Sequence, residues 1–278
     1  MKDYIIETKD LTFKYSDGTI ALDHINIKIP RGKKIAFLGA NGAGKSTLFL
    51  HLNGILKPSS GEILFDGTGF KYSHKELQKL RQKVGIVFQD PDVQLFSANV
   101  YEEVSFGAVN LKLPKNEVKD RVEKALKDTN THDLKDKPTH FLSYGQKKRV
   151  SIADILVMKP EVIILDEPTS SLDPKHSFMV ENLLEEINNN GTTLILSTHD
   201  VDFAYSWADY IFVLKNGQVV GEGSPKEVFE DENLINLGFV EKPLVFEVFQ
   251  LLKAKGLIDE KDFPKNRVQL LNILKETL

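Results

Sequence analysis

The run Gly39-Ala40-Asn41-Gly42-Ala43-Gly44-Lys45-Ser46-Thr47 carries backbone freedom, a cation and two hydroxyls in the order that phosphate chemistry needs. Its glycines let successive backbone N–H groups turn inward around a β-phosphate, and a helix beginning near Lys45 adds its positive end. Lys45 can reach the β- and γ-phosphates, and the Ser46 hydroxyl can ligate Mg²⁺. The run fits G-x-x-x-x-G-K-[ST] in the setting that pattern requires, after a strand-like stretch at 35–38 and before a helix. By itself it points to a nucleoside triphosphate with Mg²⁺ and does not choose among the protein classes that handle one.

A second group of residues supplies what hydrolysis would need. Val162-Ile163-Ile164-Leu165-Asp166-Glu167-Pro168 places two adjacent carboxylates where a buried strand emerges. Such acids need a balancing charge, and a metal ion supplies one. Asp166 then holds Mg²⁺ through water, and Glu167 polarises the attacking water as general base. The next apolar strand ends in Ser197-Thr198-His199-Asp200, which brings His199 to the same sheet edge within reach of a γ-phosphate.

These residues need a scaffold. Short β-branched runs at 35–38, 84–88, 162–165 and 193–197, separated by helical stretches, predict a buried and mostly parallel sheet in an α/β P-loop core. Ahead of it, IIETKDLTFKY and ALDHINIKIP alternate about Ser16-Asp17-Gly18 and predict an antiparallel β-layer of two strands. From about 91 to 160 the pattern turns helical and highly charged, which predicts a helical subdomain. YIFVLKNGQVVGEG predicts a hairpin about Asn216-Gly217. The main domain is expected to span 1–236. In the remaining 237–278, Leu244, Val248, Leu251 and Leu252, then Gly256, then Val268, Leu271 and Leu274, predict two short amphipathic helices.

Composition limits the partners. The chain has 278 residues, 41% of them hydrophobic, a formal charge of -4 and no cysteine. That balance gives no electrostatic reason to expect nucleic acid, and cysteine-based zinc sites, thiolate catalysis and disulfides are excluded. The start, MKDYIIETKD, has no secretory apolar stretch, and no run approaches the roughly 20 apolar residues needed to cross a bilayer.

Leu142-Ser143-Tyr144-Gly145-Gln146-Lys147 closely resembles the LSGGQ signature of ABC (ATP-binding cassette) ATPases, and it lies between the phosphate loop and the acidic strand. Ser143 also reads as the cap of a helix running through Gln146, and both roles can hold together. The resemblance covers about residues 4–236. It implies that Tyr15 stacks on adenine, that Gln89 links the nucleotide to the helical subdomain and joins Ser46 and Asp166 at Mg²⁺, and that His199 is the switch histidine. It also implies that Ser171-Leu172-Asp173 crosses a dimer interface, and that Ser143, Gly145 and Gln146 of one subunit close over ATP held by another. Tyr144 departs from the family's usual glycine.

Phe88-Gln89-Asp90-Pro91-Asp92-Val93-Gln94-Leu95-Phe96, the tyrosine in the signature and the short tail together resemble the ATPases of energy-coupling factor importers of cobalt, nickel and vitamins. The implied partners are a second ATPase subunit, identical or a paralogue, and an integral membrane subunit docking near Gln89 and Phe96, where Asp90 and Asp92 would suit basic residues. The implied location is peripheral, on the cytoplasmic face of the membrane. Alternatives are another ABC importer type or a soluble ABC ATPase. Against the soluble class, the interval before the signature is too short for a chromosome-type coiled coil, and translation-type members carry two cassettes. The tail either joins the ATPase dimer or folds back on its own cassette.

Overall fold

A computed structural model describes residues 3–259 and 263–277. The chain opens with β1 (Tyr4–Lys14), β2 (Ile20–Ile25) and β3 (Lys28–Pro30). The stretch read as one second strand is broken at Asn26, whose side-chain carbonyl accepts from Asp10 N–H and whose amide donates to His24 O. Both pieces still pair antiparallel with β1, one at each end.

Next come β4 (Lys34–Leu38) and α1 (Lys45–Leu52), then β5 (Ser60–Phe65) and the short β6 (Thr68–Gly69). The β-layer therefore has more than the two strands read from the sequence, in the order β2-β1-β5-β6 with β3 also on β1. SGEILF carries no clean alternation, and its pairing with β1 is a contact between distant residues. At Gly61 (φ 81°) a side chain would collide with the Asp10 carbonyl, so this crossing requires glycine.

After α2 (His74–Lys83) and β7 (Val84–Val87), the chain enters α3 (Val100–Asn110), α4 (Lys115–Asp128) and α5 (Tyr144–Leu156). These pack around their own apolar cluster, including Val104, Val122, Leu126 and Val150. Ile152 and Ile155, on another side of α5, belong to the cluster under the main sheet. That makes α5 the element shared by the two.

β8 (Val162–Leu165), α6 (Pro174–Asn189), β9 (Thr193–Ser197), α7 (Val201–Trp207), β10 (Tyr210–Lys215) and β11 (Gln218–Gly223) complete the core sheet. Its order is β11-β10-β4-β9-β8-β7, parallel throughout except for β11. Every residue of β7, β8 and β9 is buried, as continuous β-branched runs in a doubly covered parallel sheet require. The hairpin turns on Asn216 (φ 49°) and Gly217 (φ 76°), and β10 lies directly beside β4.

The chain closes with α8 (Pro225–Glu230), α9 (Glu232–Asn236), α10 (Leu244–Ala254) and α11 (Arg267–Thr277). The α10 face read from the sequence is not the buried one. Phe246 and Phe249 are buried, whereas Leu244 and Leu251 are largely exposed. Both stripes are apolar, and the aromatic one meets Tyr205 and Phe263. The larger area of the phenylalanines decides which stripe turns inward.

Candidate functional site

The phosphate run leaves the C-terminal end of β4 and enters α1 as a tight loop. Gly39, Gly42 and Gly44 all take positive φ, at 145°, 80° and 106°. At Gly39 a side chain would strike the Leu214 carbonyl, and at Gly44 it would lie 2.6 Å from Ala21 O. Lys45 is buried and turns back to donate to Gly39 O and Ala40 O. Burial lowers its pKa, while Glu167 and Asp166 act to raise it.

Parallel pairing brings the ends of β4, β8 and β9 to one edge, and the carboxylates follow. The buried Ser197 hydroxyl donates to Asp166 Oδ1 at 2.5 Å and accepts from Glu167 N–H at 2.9 Å. Glu167 is held in the left-handed region, at φ 46°, a strain that persists only where its surroundings fix it. Its carboxylate Oε2 meets His199 Nδ1 at 3.0 Å, with the His199 ring well exposed. A neutral ring donating through Nδ1 keeps Nε2 as an acceptor, so donation to a phosphate as well requires the imidazolium.

A cleft of about 360 Å³ gathers Tyr15, Asn41, Gly42, Ala43, Gly44, Lys45, Ser46, Thr47, Gln89, Asp166, Glu167 and His199. Tyr15 is 41% exposed at its mouth, with its hydroxyl 3.0 Å from Thr47 Oγ1 and its ring edge-on to Phe13. Two depressions of about 720 and 740 Å³, along β1 and between α4 and α6, are larger but contain none of these residues. Ser143, Gly145, Gln146 and Asp173 do not line the cleft. Ser143 is exposed and caps α5 in a reciprocal capping box with Gln146. Gly145 is covered by the His176 ring, which a side chain there would meet at 2.9 Å, and Asp173 caps α6.

Residues 22–170, more than half of the chain, match the family described as ABC transporter. The chain belongs to the ABC transporter family of ATP-binding proteins. The energy-coupling factor transporter ATP-binding protein EcfA3 of Clostridium perfringens is 53% identical, with 94% of this chain and 93% of that protein covered. The solved structure of cbiO1 from Clostridium perfringens, described as part of the ABC transporter complex cbiONQ, is also 53% identical. It superposes with a TM-score of 0.77 over 90% of this chain and 100% of that one. A dimeric, post-hydrolysis cassette, MJ0796, bound to ADP and Pi is 29% identical, with a TM-score of 0.73 over 80% of this chain and 99% of that one. Within its family this cassette is therefore an ATPase of the energy-coupling factor class.

Around the cleft, the cassette uses residues the sequence reading did not single out. Ser197 is one. Lys148 is another: fully buried in α5, it donates to Phe88 O at 3.0 Å and Gln89 O at 2.7 Å. Asp92, read from the sequence as suiting a basic residue of a partner, meets Lys147 Nζ at 2.5 Å within this chain while its side chain stays 60% exposed. Asp90 accepts from Asp92 N–H and caps a short 3₁₀ turn, Pro91–Val93. A motif pattern does not flag the contacts of Ser197, Lys148 and Lys147, since each depends on which distant residue lies opposite.

Proposed function

We propose that this cassette binds Mg-ATP in the cleft below Tyr15 and hydrolyses it as a head-to-tail pair with a second ATPase chain, identical or a paralogue. The work drives import of a small solute, of the metal-ion or vitamin class that the resemblance implies, through a separate integral membrane subunit. The observation that carries the reading is the convergence of Lys45, Asp166, Glu167 and His199 on one cleft from three parallel strand ends.

In this reading the loop N–H groups and Lys45 bind the phosphates. Glu167, aimed by His199, takes the proton of the water that attacks the γ-phosphorus as the bond to the ADP oxygen breaks. Ser46, Gln89 and Asp166 would hold Mg²⁺, which supplies charge neutralisation on the phosphate oxygens when bound. The donor set fits: these are hard oxygen ligands, and Mg²⁺ keeps several waters and phosphate oxygens rather than needing an all-protein cage. Among the described residues no group of three His, Cys, Asp or Glu converges to make such a cage.

Ser143, Gly145 and Gln146 stand outside their own cleft, which supports their serving the nucleotide of the opposite chain. Docking near Gln89 and Phe96 is supported by exposed apolar side chains there, Val93 at 73%, Phe96 at 66% and Phe106 at 48%, the two phenylalanine rings lying 4.9 Å apart. No helix of the described residues is long and apolar enough to cross a membrane, so the membrane path belongs to another chain in this reading.

The test uses a tagged Glu167→Gln chain captured with Mg-ATP from detergent-solubilised native membranes. The variant should bind ATP, turn over at least about a hundredfold more slowly, and bring down a second ATPase chain together with an integral membrane protein. Phe96→Asp should release the membrane protein and leave ATP binding intact. Normal turnover by Glu167→Gln removes the base assignment, and recovery of soluble proteins alone overturns the transport reading.

A further inference from the structure

The loop that carries Gln89 is fastened to α5 by side-chain hydrogen bonds that run in both directions. Tyr144 Oη donates to Gln89 O at 3.0 Å, and Lys148 Nζ donates to that same carbonyl and to Phe88 O. Lys147 holds Asp92, and Gln94 Nε2 reaches back to Ser151 O at 3.0 Å. Two donors from one helix thus converge on a single peptide oxygen of the loop.

The cost of Lys148 says that this fastening is not incidental. Its side chain is fully buried, with its ammonium placed against Phe88 O and Gln89 O. Removing an ammonium from water is unfavourable unless its hydrogens are matched, and an apolar side chain of similar length would fill the space more cheaply. Here the matching partners are two successive loop carbonyls. Tyr144 stands where the LSGGQ pattern has glycine, and glycine has no hydroxyl to reach Gln89.

The helix turn that makes these bonds also presents Ser143, exposed at the N-terminus of α5. The Gln89 side chain lines this chain's own cleft. One rigid piece therefore carries both a group facing the local nucleotide and a group turned away from it. We propose that Tyr144 and Lys148 are positioning residues that lock the Gln89 loop to the signature turn, so that in this chain the coupling of the ATP site to the signature turn passes through their bonds to Gln89 O and Phe88 O.

This inference rests on the head-to-tail reading above, and its test separates the two. The purified complex of the preceding experiment, with an active cassette, is prepared with Tyr144→Phe, which removes only the hydroxyl, and with Lys148→Met. Thermal stability, nucleotide Kd at the unpaired cassette, kcat and the Hill coefficient for ATP are measured. Tyr144→Phe should leave the melting temperature unchanged and Kd within about twofold of wild type, lower kcat about 3- to 10-fold, and move the Hill coefficient toward one. A residue that merely supports the fold would shift stability and leave the Hill coefficient alone. Lys148→Met should show the same pattern more strongly, and where it does not fold, Tyr144→Phe decides. A two-cassette complex in which Tyr144→Phe keeps the wild-type kcat and Hill coefficient overturns the coupling alone. A complex holding a single ATPase chain overturns the sandwich reading and the coupling with it.

Discussion

At the scale of single residues, the site is organised by one buried hydroxyl. Ser197 Oγ holds the Asp166 carboxylate and the Glu167 backbone together, 2.5 and 2.9 Å away, and is itself fully buried. Removing it leaves the Glu167 N–H without a partner, at a cost of about 1–3 kcal/mol. It also frees Asp166 to rotate. Ser197→Ala should therefore lower kcat about tenfold and the melting temperature by several degrees, with little change in ATP affinity, because the Ser197 hydroxyl bonds to Asp166 and Glu167. Steady-state ATPase assays beside a thermal melt check this, and a variant that melts early yet turns over normally would show that the hydroxyl only supports the strand. A positively charged partner could not replace it, because an ammonium or guanidinium has no lone pair to accept the Glu167 N–H; the Glu167 φ of 46° is held by that N–H contact and by the Ser170 hydroxyl on Glu167 O.

At the scale of elements, α5 and the loop at 88–97 form one unit with an acidic underside. Asp154 of α5 accepts from Gln94 Nε2 at 3.1 Å, and buried Glu103 of α3 accepts from Phe96 N–H and Ser97 N–H. Burial pushes the Asp154 pKa up to about 7, Glu103 adds to the rise, and the Gln94 hydrogen bond opposes it. A carboxyl raised from 3.8 makes the native state bind more protons than the unfolded chain between roughly pH 4 and 7, so stability falls as pH rises through that window. Asp154→Asn keeps an acceptor for Gln94 and removes the ionisation. Its stabilisation should be about 2 kcal/mol greater at pH 8 than at pH 5, and urea unfolding at both values that gives equal differences would sink the idea. The phosphate loop, the acidic strand end and His199 were legible in the sequence because consecutive residues fix both their chemistry and their place at a strand end. β5 was not, because SGEILF is a strand only when β1 lies beside it. Ser197 and Lys148 were visible as residues but not as partners of Asp166 and Gln89, since a hydrogen bond across the fold leaves no trace in local spacing. The sequence spacing of α10 showed an amphipathic helix, but with apolar residues on two stripes it did not say which would be covered.

At the scale of the molecule, the tail is both part of the cassette's core and a surface of its own. Val240 and Phe246 join the apolar cluster under the main sheet, Tyr205 Oη donates to Pro264 O at 2.7 Å, and Leu244 N–H is received by Asp202. The fold-back alternative is therefore realised for the Phe246 and Phe249 face. The opposite stripe, with Leu251 at 63%, Val268 at 66% and Leu271 at 44% exposed, stays uncovered, which is costly for a lone chain and suits a second one. The two faces predict different failures. Phe246→Ala opens a cavity among Tyr205, Phe263 and the sheet, and should destabilise the whole cassette by about 3–5 kcal/mol in one cooperative transition. Leu251→Glu with Leu271→Glu should leave the melting temperature unchanged and weaken association of the Glu167→Gln chain in Mg-ATP, read by sedimentation. Association undiminished by both charges would take the stripe out of the ATPase pair. A melting temperature unmoved by Phe246→Ala would mean that the aromatic face is not part of the core, and the tail would then be an appendage that could be cut away without cost to the cassette.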